Sequence, residues 1–159
     1  CRYIPDIHVI HLVRDCRAVV HAWRKRKRRT EIHWKLAYMP RYNPVQTAIA
    51  WRLFNTLIPE LTARYNVPYS LVRYEDFAAQ PQAVLRQLMN AIGCSSETPS
   101  LSGHESSVRS HSIGGNPSKL EFQPELVRPH NEWSFKCGLW DRWVVNAIAR
   151  RQQKVYGYN

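Results

Sequence analysis

The chain has 159 residues, 44% of them hydrophobic and 22% charged, with a formal net charge of +11 and a pI near 9.9. That length suits one domain with a real core, and no run is long and apolar enough to read as a membrane span or a signal peptide. The charge excess calls for an anionic partner. The four cysteines, Cys1, Cys16, Cys94 and Cys137, show no CxxC or paired Cys/His spacing, which argues against a zinc site and a disulfide framework. A single bridge, Cys94 with Cys137, stays open for an oxidising compartment.

The first predicted element is a strand. Val9, Ile10, Leu12 and Val13 form a short, β-branched apolar run of the kind a buried strand carries. The chain opens on Cys1 only a few residues earlier, which reads as a piece of a longer protein. Asp15 then stands where a helix N-cap belongs, and Ala18, Val19, Ala22 and Trp23 follow at helical spacing. A strand that feeds a helix start leaves free backbone N–H groups and a positive dipole end, which suit an anion, and Arg14 adds a forked cation beside them. The same residues also suit an ordinary structural Arg-Asp turn.

Arg24 to Arg29 form an unbroken basic run, RKRKRR. It begins ten residues after Arg14, about 15 Å further along the same predicted helix. Its candidate roles are a solvated helix end, a sorting signal, a nucleic-acid arm, or a surface for an anionic acceptor separate from the Arg14 site.

Residues 30–43 have no clear period. From Pro44 a helix is predicted, with Val45, Ile49, Leu53, Leu57 and Leu61, and Ala48 and Phe54 beside them, as one apolar face, and a break or kink near Leu57 because of Pro59. Residues 69–74 alternate and read as a second strand. Gln80 to Gly93 is the clearest helix: Pro81 opens it, Val84, Leu85, Leu88, Met89 and Ile92 make a stripe to bury, and Gly93 stops it. Residues 95–118 are rich in Ser and Gly, either a linker or a loop bent around a ligand. A last helix is predicted from about Leu139 to Tyr156, with Trp143, Val144, Ala147, Ile148 and Val155 inward. The order is α/β. Two strands are few for a stable sheet, so further strands are expected upstream.

Three ordered segments together resemble one family. HLVRDCRAVVHAW looks like the segment of sulfotransferases that binds the 3′-phosphate of 3′-phosphoadenosine 5′-phosphosulfate (PAPS), the sulfuryl donor. LVRYEDFAAQPQAVLRQLMNAIG is similar to the family's strand, acidic turn and helix, and HSIGGNPSKLEFQPELVRPHNEW to its Gly-Asn-Pro loop; the closing YGY fits as well. The pattern is nearer the bacterial and carbohydrate-type enzymes than the compact steroid and phenol ones.

The resemblance implies an α/β, P-loop NTPase-like parallel sheet with flanking helices, of which residues 1–159 would be the C-terminal part. It implies PAPS as co-substrate, no metal, and an acceptor hydroxyl or amine, an anionic glycan among the options. Arg14 would grip the 3′-phosphate, Tyr74 would lie near the adenine and ribose, and Lys119 and Arg128 would close over the phosphate. Where the family has a serine eight residues after the arginine, this chain has Ala22. The phosphosulfate loop and the catalytic base would lie upstream, so no catalytic residue is assigned. The compartment stays open between cytoplasm and, with an upstream anchor, Golgi lumen. The competing readings are a basic nucleic-acid-binding module, a sulfotransferase-like binding protein without activity and, more distantly, a nucleotide kinase.

Overall fold

The computed structural model describes residues 7–29, 32, 34–94 and 132–158. In chain order these form β1 (Val9–Val13), α1 (Cys16–Arg24), α2 (Pro44–Arg64), β2 (Tyr69–Arg73), α3 (Tyr74–Ala79), α4 (Pro81–Ala91), α5 (Glu132–Lys136) and α6 (Leu139–Val155). The α/β class holds. Among the described residues the sheet is the single parallel pair β1–β2, in register from Val9 opposite Tyr69 to Val13 opposite Arg73. A parallel pair needs a long crossover, which α1 and α2 supply.

The core lies where α1, α2 and α6 meet the end of β1. Val13, Cys16 and Val20 pack there with Ala48 and Trp51 of α2 and with Val144, Val145, Ala149, Tyr156 and Tyr158. Each fully buried valine contributes about 1.5–3 kcal/mol. Only one face of β1 is covered: His11 and Val13 are buried, while Ile10 and Leu12 are 48% and 54% exposed. The expectation of a strand buried throughout therefore fails on one side.

α2 begins with a reciprocal cap, in which Asn43 Oδ1 accepts from the Gln46 N–H and Gln46 Oε1 from the Asn43 N–H. Its predicted break is absent. Pro59 has no N–H to donate, so the Asn55 carbonyl one turn earlier is released from the helix ladder. Tyr156 Oη donates to that carbonyl at 2.6 Å and Gln152 Nε2 at 3.2 Å, so the orphaned acceptor ties α2 to α6. The predicted apolar face is also turned round: Val45, Ile49, Leu53, Phe54, Leu57 and Leu61 are 38–61% exposed. A strict i+4 ridge drifts around a helix of 3.6 residues per turn. Of the predicted face Ala48 alone is fully buried, together with Thr47, Trp51, Asn55 and Thr62, mostly small or hydrogen-bonded side chains.

α4 opens on Pro81 as expected, but its stripe against β2 is half-buried and Ile92 is exposed. Gly93 at φ +73° ends it, with Gly93 N–H donating to Asn90 O and Cys94 N–H to Met89 O. This paired closure needs the left-handed residue that glycine permits. α6 keeps its predicted limits to within a residue. Of the five residues expected inward, Val144 is buried and Ile148 half-buried, while Trp143, Ala147 and Val155 are exposed. Cys94 and Cys137 are not joined to each other, so the Cys94–Cys137 bridge is not formed.

α1 is shorter than the sequence suggests. It stops at Arg24, and Lys25 is extended. The chain then turns back so that Arg29 N–H donates to Ala37 O and Met39 N–H to Lys27 O, both at 2.9 Å, around a bridge between Arg28 and Tyr38. The basic run is not a helical continuation.

Candidate functional site

Parallel register sets the site. Val13 pairs with Arg73, so the next residue on each strand, Arg14 and Tyr74, emerges side by side at the carboxyl end of the sheet. The Arg14 guanidinium carbon lies 4.4 Å from the Tyr74 ring centroid, within cation–π range. Trp51 Nε1 donates to the Arg14 carbonyl at 2.8 Å and pins the backbone. Tyr74 opens α3, one residue past the end of β2, where the sequence reading made it the strand's last residue.

Arg14 Nε is buried and has no hydrogen-bond partner among the described residues. A buried donor without an acceptor costs about 1–3 kcal/mol, so an unpaired guanidinium edge is a place where a ligand oxygen gains. The same side chain lines a cavity of about 230 Å³ together with Ala22, Lys25, Lys27 and Met39. The early end of α1 is what allows this. Because the chain leaves the helix after Arg24 and folds back, Lys25 and Lys27 line one cavity with Arg14 instead of continuing away along the helix axis. The continuous helix through Arg29 that the sequence suggested is corrected accordingly. Arg24 is committed elsewhere: its Nη1 donates to both carboxylate oxygens of buried Asp141. Arg26 stacks over Tyr38 at 3.7 Å.

The N-terminus of α1 is not the anion site that the sequence suggests. The buried Asp15 carboxylate caps it, accepting from Arg17 N–H at 2.8 Å, Arg17 Nη2 at 2.7 Å and Gln153 Nε2 at 3.1 Å. A carboxylate already satisfies that dipole end. Of the two readings of the Arg-Asp pair, the structural one holds for Asp15.

The acidic turn after β2 is also structural. Glu75 Oε1 accepts from the Asp15 N–H at 3.3 Å, and Tyr158 Oη donates to Glu75 Oε2 at 2.5 Å. Burial first, then this bond, raises the Tyr158 pKa, so the phenol stays protonated. Arg73 lies over its ring at 4.7 Å. Gly157 at φ +76° lets the chain turn to place Tyr158 there. Cys16 is buried in the core with its thiol pushed up to about 12, by burial and then by Asp15, which makes it inert as a nucleophile.

Lys119, Arg128 and the Gly-Asn-Pro loop lie outside the described residues. No group of three or more His, Cys, Asp or Glu gathers for a metal among the described residues. Lys25 and Lys27 line the Arg14 cavity although sequence reasoning set them apart from it, since nothing in a charge run marks where a helix stops. Trp51 was open to detection in principle, because a core indole N–H must find an acceptor.

Comparison with known proteins finds no matching family model, no matching curated protein and no matching solved structure.

Proposed function

We propose that the Arg14 cavity holds the 3′-phosphate of PAPS, and that the chain is the phosphoadenosine-gripping part of a sulfotransferase on a P-loop-like parallel sheet. One observation carries this reading: the buried, unpartnered Nε of Arg14 at the carboxyl end of a parallel strand, where open α/β sheets take ligands. Tyr74 holds the guanidinium plane from one side, and Lys25 and Lys27 add positive charge to the same cavity. A volume of about 230 Å³ suits the charged end of a nucleotide, not the whole of one. Lys119 and Arg128 are proposed to complete the grip.

PAPS supplies the sulfuryl group that passes to an acceptor hydroxyl or amine, a carbohydrate being one candidate. The part assigned to this chain is binding and orientation, with preorganised cations that meet charge on the departing bisphosphate. Ala22 favours a second reading. It presents a methyl group to the cavity where a hydroxyl is expected, which fits a chain that binds the nucleotide without turning it over.

Titration calorimetry with adenosine 3′,5′-bisphosphate tests the assignment, with adenosine 5′-monophosphate as the control lacking the 3′-phosphate. Arg14→Ala weakens the bisphosphate by about 1.5–3 kcal/mol, the scale of a hydrogen bond to a charged group, and leaves the monophosphate unaffected. Equal affinity of parent and variant for the bisphosphate refutes the site.

A further inference from the structure

The outer side of α6 carries two kinds of residue that its packing does not use. Its first two turns expose Leu139 at 85%, Trp140 at 63% and Trp143 at 61%, the two indoles stacked with centroids 5.1 Å apart and planes 20° apart. Its last two turns expose Arg150, Arg151 and Lys154, which line a groove of about 410 Å³ with Arg52 of α2. At 3.6 residues per turn all six α6 residues fall on one side of the helix, with Trp143 about 10 Å from Arg150 along the axis. No acidic side chain lines the groove, and the single acid of α6, Asp141, is buried and paired with Arg24. Arg52 is held across the groove by donation to Ile148 O at 3.3 Å.

We propose that this face docks on an anionic lipid surface, its four cations meeting headgroup phosphates or carboxylates while Leu139, Trp140 and Trp143 enter the interfacial zone. Charge complementarity and the chemistry of the apolar end together select that partner. Tryptophans favour the membrane–water interface, and cations on a docking helix are drawn to anionic headgroups. A nucleic acid or an acidic glycan satisfies the cations and can stack on an indole, but has nothing that an 85% exposed leucine gains from. No helix among the described residues is long and apolar enough to cross a membrane, so the association is at the surface. It is independent of the Arg14 cavity.

Sedimentation of the chain with vesicles decides the matter. Binding to phosphatidylcholine vesicles containing about one third phosphatidylserine is expected, with loss on pure phosphatidylcholine and at high salt. Changing Arg150, Arg151 and Lys154 together to Ser lowers partitioning about a hundredfold, the scale of three basic residues at such a surface. Trp140→Ser with Trp143→Ser lowers it at unchanged charge, and Arg14→Ala leaves it as in the parent. These positions are exposed, and a melting curve like the parent's certifies each variant as folded. Vesicle binding unchanged in the triple variant overturns the proposal. So does binding of RNA or heparin, lost in the triple variant, in a chain that ignores vesicles.

Discussion

Ala22→Ser tests the cavity most directly, because it adds one hydroxyl to a wall that already faces Arg14. Ala22 sits in the last full turn of α1, three residues before the cap at Lys25, and lines the same cavity as Arg14, Lys25 and Lys27. A hydroxyl bonded to a charged phosphate is worth about 1.5–3 kcal/mol where geometry is ideal. A serine there also has a competing acceptor, the Ala18 carbonyl four residues back. The net gain is therefore set at about 0.5–1.5 kcal/mol, roughly twofold to tenfold in affinity for adenosine 3′,5′-bisphosphate. The helix itself loses no more than about 0.7 kcal/mol through the poorer propensity of serine, so the melting temperature hardly moves. Calorimetry on parent, Ala22→Ser, Arg14→Ala and the double variant closes a cycle. If both side chains grip one phosphate, the serine gain shrinks once Arg14 is gone, since the phosphate loses its register. No tightening, or an equal gain with and without Arg14, refutes the shared cavity.

Two predictions concern what holds that cavity in place. Tyr156→Phe removes the 2.6 Å donor to the carbonyl that Pro59 leaves free and costs about 1–2 kcal/mol in urea unfolding; in a Pro59→Ala background the cost falls, because the helix N–H returns, and an equal cost in both backgrounds refutes the link. His11 is buried between Tyr69 Oη at 2.8 Å and Asn55 Oδ1 at 3.0 Å, and burial, opposed by the Asn55 bond, lowers its pKa below 6.5. The unfolded chain then binds the proton more readily, so the stability this group confers is complete above pH 6.5 and is lost as pH falls from there toward the folded value. His11→Gln flattens that part of the stability profile, and a slope unchanged by the substitution rules the histidine out.

Element boundaries were legible wherever local chemistry is strong. Asp15, Pro44, Pro81 and Gly93 each act through the backbone of their own turn, and the structure uses all four as caps or first or last residues. What failed was direction and continuation. Hydropathy marks Val45, Ile49, Leu53, Leu57 and Leu61 as a face to bury, but it cannot register that Ala48 and Ala149 let α2 and α6 approach closely, or that Asn55 and Gln153 enter the interior with their hydrogen bonds made. Pro59 misled for a related reason. A proline forfeits one ladder bond, and whether the helix survives depends on a donor reaching the orphaned carbonyl, which here comes from Tyr156, about a hundred residues away.

The site shows the same division. Arg14 and Tyr74 were singled out one by one, and their meeting follows from a parallel register that neither strand reveals by itself. Asp15 was recognised as a cap, but the consequence was missed: a carboxylate that closes a helix N-terminus also removes it as an anion site. The basic run hid two different fates. Arg24 answers a buried acid on a distant helix, and only past the helix end do Lys25 and Lys27 come round to the Arg14 cavity. A run of six like charges repels itself and has no strong local preference for a helix, so where it bends is decided by partners elsewhere in the fold. Asp141 fixes its first residue, and pairing of Lys27 and Arg29 with Met39 and Ala37 fixes its end. The cavity exists because these two constraints bracket Lys25, and substitutions at Asp141 will therefore reach the Arg14 site without touching it.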